Sequence, residues 1–337
     1  MSIQEAIQTL VERHDLTRQQ ARDVMDVVMS GQATDAQIGA FLIALRCKGE
    51  TADEVAGCAQ AMRDKAVRVT TRRAPVIDTC GTGGDGARTF NISTAVAFVA
   101  AGAGACVAKH GNRAVSSACG SADVLEALGV RIDAPPERVS LCLDEAGIGF
   151  LFAPLMHGAM KHAIGPRRQI GTRTVFNVLG PLTNPAQADR QLLGVYALEL
   201  TTRLAGVLGQ LGSQRALVVH GHDGLDEITL TGPTQVSELC AGEVRTYEIA
   251  PEEFGMACVP GAALQGGTAA QNAAILRGVL DGEPGPARDV VLLNAAAALV
   301  VAGLASDLAG GLEQARESLD SRRARRALEA LVRVSNG

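Results

Sequence analysis

The chain has 337 residues, of which 47% are hydrophobic, enough for a large domain and a small one around a real core. Its 31 basic and 36 acidic residues leave a net charge of −5, which excludes a nucleic-acid surface built on clustered Lys and Arg. The one basic run, Arg322 to Arg326, alternates with Ala and Leu at helical spacing and reads as a solvated helix face. Eight cysteines occur without a C-x-x-C pair. They read as buried free thiols of a cytosolic protein, neither a disulfide framework nor a zinc site. The polar opening Ser2-Ile-Gln-Glu5 is no signal peptide. The apolar run 290–305, broken by Asn294 and Gly303, falls short of the roughly 20 residues of a membrane span. It reads as a buried helix, and the chain as cytoplasmic, with no membrane partner.

Residues 1–70 read as helices only. Four S/T-x-x-E/Q capping boxes follow one another: Ser2 with Glu5, Thr17 with Gln20, Thr34 with Gln37, and Thr51 with Glu54. In each, the hydroxyl accepts from a free backbone N–H and the later side chain reaches back to the cap. Apolar residues then recur every three or four positions, as in Val24, Val27, Val28 and Ile38, Phe41, Leu42, Leu45. Gly31 and Gly49 stand where helices would end.

From Pro75 the pattern changes to short apolar runs that end in Gly or polar turns and lead into Ala-rich helical stretches. Strands are expected at 75–78, 105–108 and 217–220, with helices at about 93–101 and 121–128. Strands alternating with helices specify an α/β domain with a mostly parallel sheet. Ligands bind beyond the carboxyl ends of such strands. The expected division is a helical domain at 1–70, joined by helices from about 160–185, and an α/β domain at 75–337.

Three polar clusters sit at those strand ends. The first is Asp78-Thr-Cys-Gly81-Thr-Gly-Gly84-Asp85-Gly86, followed by Thr89-Phe-Asn91-Ile92-Ser93-Thr94. Its glycines allow successive N–H groups to form an anion nest, and Asn91 and Ser93 read as caps of a helix aimed at the same anion. It matches neither the dinucleotide fingerprint nor a P-loop. The second is Lys109-His110-Gly111-Asn112-Arg113-Ala114-Val115-Ser116-Ser117, then Ser121, with cations, an amide and hydroxyls suited to phosphate oxygens. His110 reads as an acid, a base or a structural group. The third, His220-Gly-His-Asp223-Gly-Leu-Asp226-Glu227, pairs carboxylates in a glycine-bearing turn, as a magnesium ion shared with phosphates requires. Two unit charges about 4 Å apart interact by ~4 kcal/mol at an effective dielectric near 20. A polyanion therefore needs all three groups of ligands, and a diphosphate with bridging Mg²⁺ fits better than a single phosphate.

Gly81-Thr-Gly-Gly-Asp85, Asn91-Ile-Ser-Thr94, Lys109-His-Gly-Asn-Arg113, Gly180-Pro-Leu-Thr-Asn-Pro185 and Asp226-Glu227 occur in one chain and in this order. In them the sequence resembles the anthranilate phosphoribosyltransferase family over nearly its whole length. The resemblance implies a small helical domain beside an α/β domain, a homodimer formed through the helical part, and two Mg²⁺ ions per subunit. It implies transfer of 5-phosphoribosyl from phosphoribosyl diphosphate (PRPP) to the amine of anthranilate. By the same resemblance Gly81, Gly84, Asp85, Thr89, Asn91, Ile92, Ser93, Thr94, the run Lys109 to Ser117 (including Val115 and Ser116) and Ser121 would hold PRPP. Ser93, Asp226 and Glu227 would hold the metal. Gly81, Asn112 and Arg167 would meet anthranilate, with Lys109, Asn112 and Arg167 as the catalytic set.

Where the family usually has prolines this chain has Gly158 and Gly165, and Met156 stands where a ring is common. Gly267-Thr-Ala-Ala-Gln271-Asn272 replaces a stretch that usually contains Asp and Glu. The resemblance leaves two rival readings: a pyrimidine nucleoside phosphorylase of the same architecture, and a non-catalytic binding paralogue.

Overall fold

The computed structural model describes residues 1–114 and 118–337. The expectations for Val115, Ser116 and Ser117 lie outside the described residues.

The chain opens with helices α1 (Ile3–Val11), α2 (Arg18–Met29), α3 (Asp35–Lys48) and α4 (Ala52–Lys65). All four expected capping boxes form, each hydroxyl accepting from the third residue's N–H and each Glu or Gln reaching back to the cap. Gly49 ends α3 at φ 94°, and Gly31 follows α2 at φ 71°, conformations that a side chain would oppose. Glu54 does more than its capping box demands. It is fully buried, and its carboxylate accepts from Thr51 N (2.8 Å), Leu16 N (2.9 Å) and the buried Lys48 Nζ (2.9 Å).

Beyond residue 75 come β1 (Val76–Gly81), α5 (Ile92–Gly102), β2 (Cys106–Gly111), α6 (Ser121–Ala127), α7 (Pro136–Ala146) and β3 (Ile148–Phe152). Short helices α8 (Ala153–Met156), α9 (Lys161–Ile170) and α10 (Phe176–Leu179) cross back toward the helical bundle. There α9 packs on α2 and α3, and α10 on α4. The chain then returns through β4 (Arg190–Gly194), α11 (Leu200–Gln210), β5 (Arg215–Gly221), β6 (Thr234–Cys240) and β7 (Glu243–Ile249). It ends in α12 (Ala269–Leu280), α13 (Pro286–Ala302), α14 (Leu308–Asp320) and α15 (Arg323–Asn336). The strands form one sheet in the order β3-β2-β1-β4-β5-β6-β7. The first five are parallel; β6 and β7 extend the edge antiparallel.

Alternation along β1 and β2 divides the core. Ile77 and Val107 face a layer of α5, α12, α13, α14 and α15. On the opposite face Cys80, with Leu193 and Val218, joins α11 and the bundle helices in a single apolar cluster. The expected buried helix is α13, buried at every residue from Val290 to Ala302. The basic run lies at the start of α15, where Arg325 pairs with Asp281 and Glu329. The cysteines are all free, but Cys47, Cys240 and Cys258 are exposed, which corrects the expectation that the thiols are buried.

Glu54 generates a stability test. Glu54→Ala leaves the Lys48 ammonium to Asp15 (2.6 Å) and Gly49 O (2.7 Å) but takes the acceptor from the N–H groups of Leu16 and Thr51, and should cost about 1–3 kcal/mol in urea denaturation followed by circular dichroism. Glu54→Gln, which keeps an acceptor for the N–H groups, should cost less.

Candidate active site

The strand order reverses between β1 and β4. Consecutive strands run outward from β1 through β2 to β3, and the chain then places β4 on the other side of β1. A parallel sheet opens a crevice at such a point, beyond the carboxyl ends of the two strands. The last residues paired there are both glycine, Gly81 opposite Gly194. The occupant of the space is Asp226: a Cβ at Gly81 would collide with its carboxylate, and one at Gly194 with its backbone. Thus Gly81 is required for close approach rather than for a left-handed conformation, whereas Gly84 does adopt φ 78°.

The β5–β6 connection carries Asp226 and Glu227, and two internal fastenings shape it. Asp223 accepts from Thr229 Oγ1 (2.8 Å) and Thr231 Oγ1 (2.6 Å), so it builds the turn. Asn294, alone among the apolar residues of α13, accepts from Ile228 N (2.9 Å) and donates to Ile228 O (2.8 Å). It pins the backbone immediately after the carboxylate pair.

From that position the two acids organise the glycine loop. Asp226 Oδ2 accepts from Gly83 N (2.8 Å) and Glu227 Oε1 from Ser93 N (3.1 Å). Glu227 is therefore the side chain that caps α5. Asn91 occupies the N-cap position but makes no side-chain cap bond, a correction to the expected role. Its amide donates to Cys119 O (3.1 Å) and its oxygen accepts from Asn272 (2.9 Å). The N–H groups of Gly84, Asp85 and Gly86 have no hydrogen-bond partner among the described residues, which leaves a nest of free donors. Lys109, buried at the end of β2, donates to Thr79 O (2.6 Å) and Ser93 Oγ (3.3 Å). Of the remaining donor-site residues, Ile92 has its side chain in the core, so only its backbone faces a ligand. Thr94 Oγ1 is buried with no partner among the described residues, and Thr89 bridges to Gln265.

Burial and the neighbouring charges of Glu227 and Asp85 push Asp226 well above the usual carboxylate range. Burial pushes Glu227 up to about 7, against the opposing pull of Lys109 and Ser93. Burial likewise lowers Lys109, with Asp78, Cys80 and Glu227 opposing. Neither acid has an ion-pair partner within reach among the described residues. Two adjacent buried carboxylates, offset only by the charge of Lys109 beyond ion-pair distance, fit a hard divalent cation. No group of three or more His, Cys, Asp or Glu among the described residues can hold a metal by itself. Ser93, Asp226 and Glu227 thus fit a Mg²⁺ ion that takes further oxygens from water and phosphate.

The second cluster divides. Arg113 pairs with Asp123 (2.8 Å) and Glu126 (2.9 Å) on α6, and Asp123 also accepts from Ala114 N (3.0 Å) and Gly120 N (2.9 Å). Asn112 O accepts from Ala122 N and Ser121 Oγ, bringing Ser121 against the loop. Gly111 permits this, since a Cβ there would meet Ser121 and Phe150. His110 points to the other face of the sheet from Lys109. Its Nε2 lies 3.1 Å from His157 Nε2 in a buried pair. Asp78, held by Asn184 (2.8 Å) and His110 N (3.2 Å), lies on that face as well.

Arg167 in α9 is half-buried, with its guanidinium 4.9 Å from the centroid of the Phe176 ring. It has no hydrogen-bond or ion-pair partner among the described residues, and burial lowers its pKa. A desolvated, stacked and unpaired guanidinium is ready for a carboxylate. Nearby, Arg173 donates to Gly84 O (2.5 Å) and lies 4.1 Å from the centroid of the Tyr196 ring. Gly158 and Gly165 have open space or distant contacts where a Cβ would be, and Met156 is core.

Two family models match the chain: the helical bundle domain of the glycosyl transferase family over residues 4–66, and its α/β domain over residues 73–325. An anthranilate phosphoribosyltransferase of Moorella thermoacetica is 58% identical over 97% of this chain and 96% of its own length. The chain belongs to the anthranilate phosphoribosyltransferase family. A second member, from Geobacter sulfurreducens, is 56% identical over 99% of both chains. The crystal structure of the Thermus thermophilus member superposes with a TM-score of 0.94 at 45% identity, covering 98% of this chain and 99% of that one. The Saccharomyces cerevisiae enzyme in complex with PRPP and Mg has a TM-score of 0.90 at 30% identity, covering 99% of this chain and 98% of that one.

Sequence reasoning missed Gly194, Asn272, Asn294 and Arg173. Only Asn294 carried a local signal, as a single amide in an apolar helix, which must find backbone partners when buried.

The histidine pair sets a pH dependence. Burial depresses His110 to about 3 and His157 to about 4. Below the ordinary histidine value near 6.5 the unfolded chain takes up protons that the native pair refuses, so stability present above that pH is lost as pH falls. Replacing His157 with Gln should flatten the decline in stability between pH 6.5 and 4 by about 1.4 kcal/mol per pH unit. Equilibrium denaturation across that range measures it.

Proposed function

We propose that this chain transfers 5-phosphoribosyl from PRPP to the amine of anthranilate, giving N-(5-phosphoribosyl)anthranilate and diphosphate, a step of tryptophan biosynthesis. The observation that carries the site assignment is the free-donor nest of residues 84–86 set against two buried carboxylates without an ion-pair partner among the described residues at the β1–β4 switch point.

The donor diphosphate is held by the Gly81–Asp85 loop through the free N–H groups of Gly84, Asp85 and Gly86, by the N-terminus of α5 and by the buried positive charge of Lys109. Asn91, Ser93, Thr94 and the Lys109–Ser117 run complete the donor site in this reading, with Ser121 behind them. Mg²⁺, two ions per subunit held from Ser93, Asp226 and Glu227, supplies the charge neutralisation that makes diphosphate a good leaving group. Arg167 orients anthranilate by its carboxylate, with Asn112 and the Gly81 backbone beside the ring. The aromatic amine is neutral near pH 7, so its lone pair needs no general base. This chain contributes positioning and electrostatic stabilisation of a transition state with oxocarbenium character.

Residues 75–337 form the donor unit in this reading, and residues 1–70 with helices from about 160–185 the acceptor side. The enzyme acts as a cytoplasmic homodimer joined through the helical part. Val11 on α1 and Ile164 on α9 are 63% and 47% exposed and belong to the apolar surface such a dimer would cover. No described helix is long and apolar enough to cross a membrane.

The direct test is the loss of anthranilate fluorescence with and without PRPP and Mg²⁺; turnover must require both. The Asp226→Asn, Glu227→Gln double variant should lose Mg²⁺-dependent turnover yet unfold no earlier than the parent at pH 7 without metal. It removes two buried acids whose ionisation opposes folding. Near-normal activity at limiting Mg²⁺ would overturn the metal assignment.

Arg167→Ala should weaken anthranilate use about ten- to a hundred-fold, the worth of a charge-assisted contact of ~1.5–3 kcal/mol. The PRPP KM should barely move. Unchanged anthranilate kinetics would place the acceptor elsewhere.

A further inference from the structure

The loop that presents the nest is rich in residues without conformational preference: Gly83, Gly84 and Gly86 all have positive φ. Such a segment loses much entropy when a ligand orders it, so what restrains it beforehand matters to donor affinity. Two restraints are visible outside the carboxylates. Thr82 is tied to the strand beside it, its N–H donating to Gly194 O (2.9 Å) and its hydroxyl accepting from Tyr196 N (3.1 Å). Gly84 is tied by Arg173, whose Nη2 donates to its carbonyl (2.5 Å). The guanidinium is itself braced on the Tyr196 ring, 4.1 Å from its centroid.

We infer that Arg173 is a positioning residue for the donor: a latch that fixes the Gly84–Asp85 peptide and joins the donor loop to the segment carrying Arg167. The inference rests on the reading of that loop as the PRPP nest. In a planar trans peptide the C=O and the following N–H point in opposite directions. Holding the Gly84 carbonyl toward Arg173 therefore turns the Asp85 N–H the other way and keeps it free for an anion. Arg173 lies six residues after Arg167, just beyond α9, and α9 packs against α2 and α3. One short crossover thus carries both the cation for the acceptor and the clasp on the donor loop.

Arg173 is exposed, so its contact is worth less than a buried one. Arg173→Ala should raise the PRPP KM, and the PRPP Kd measured by calorimetry without anthranilate, by about three- to fivefold, with a smaller change in kcat. Arg173→Lys, which retains a donor for the Gly84 carbonyl but loses the planar stack, should recover part of the affinity. Hydrogen exchange supplies a readout that a general loss of stability would not mimic. In ligand-free Arg173→Ala the bonded amides of Thr82 and Gly83 should exchange faster, while those of β1 keep their protection. If the parent binds PRPP and Arg173→Ala binds it equally, with unchanged exchange at Thr82 and Gly83, the latch is refuted and the donor site stands. If the parent itself fails to bind PRPP, the donor-site reading falls and the latch falls with it.

Discussion

The burial of two adjacent carboxylates is the constraint on which the site depends. Asp226 and Glu227 are taken out of water at the switch point of the sheet, without a cation in ion-pair range among the described residues. Such an arrangement opposes folding, and it persists because backbone donors from the glycine loop and from the first turn of α5 meet the two acids. The glycines follow from this constraint: Gly81 and Gly194 are the two residues whose lack of a side chain lets the acidic turn come so close. The buried amide of Asn294 follows as well, since the turn must be fastened to something that does not move. In the proposed reading a divalent ion would offset that burial, so the site gives up stability without ligand in exchange for affinity.

The same acids serve two purposes that interfere with each other. Glu227 caps α5, yet in the proposed reading it also faces metal. Lys109 shares Ser93 with it and supplies the compensating positive charge from the neighbouring strand. In that reading donor binding would redistribute hydrogen bonds that already exist around Ser93.

Local chemistry made much of the fold legible. Each capping box declared its helix within a few residues of its true start, because both partners lie within one turn. The strand–glycine–helix pattern placed the three polar clusters correctly at strand ends. The sequence also pointed to Asp226 and Glu227 as a pair, since they are neighbours in the chain. What stayed hidden depends on contacts between distant positions. Gly194 is an ordinary glycine until β4 lies beside β1, and Arg173 is one arginine among many until its segment crosses back over the loop. His110 illustrates the same limit. The alternation of a strand sends its ring to the opposite face from Lys109, and the partner that explains it, His157, lies 47 residues away. Asn91 was misread as a cap because the true cap comes from residue 227.

The bundle and the sheet share one apolar cluster. Helices α1 to α4 contribute side chains to the same contiguous core as Cys80, Leu193 and Val218 of the strands. Arg63 of α4 clasps the far side by donating to the carbonyls of Leu182 (2.7 Å) and Leu211 (3.0 Å). The sequence families divide near residue 70, but the hydrophobic interior does not. The piece that evolution handles as a module is thus not a unit of cooperativity. Cut at that junction, each fragment would carry away half of a wall and expose the other half as a sticky face, so the two must melt as one.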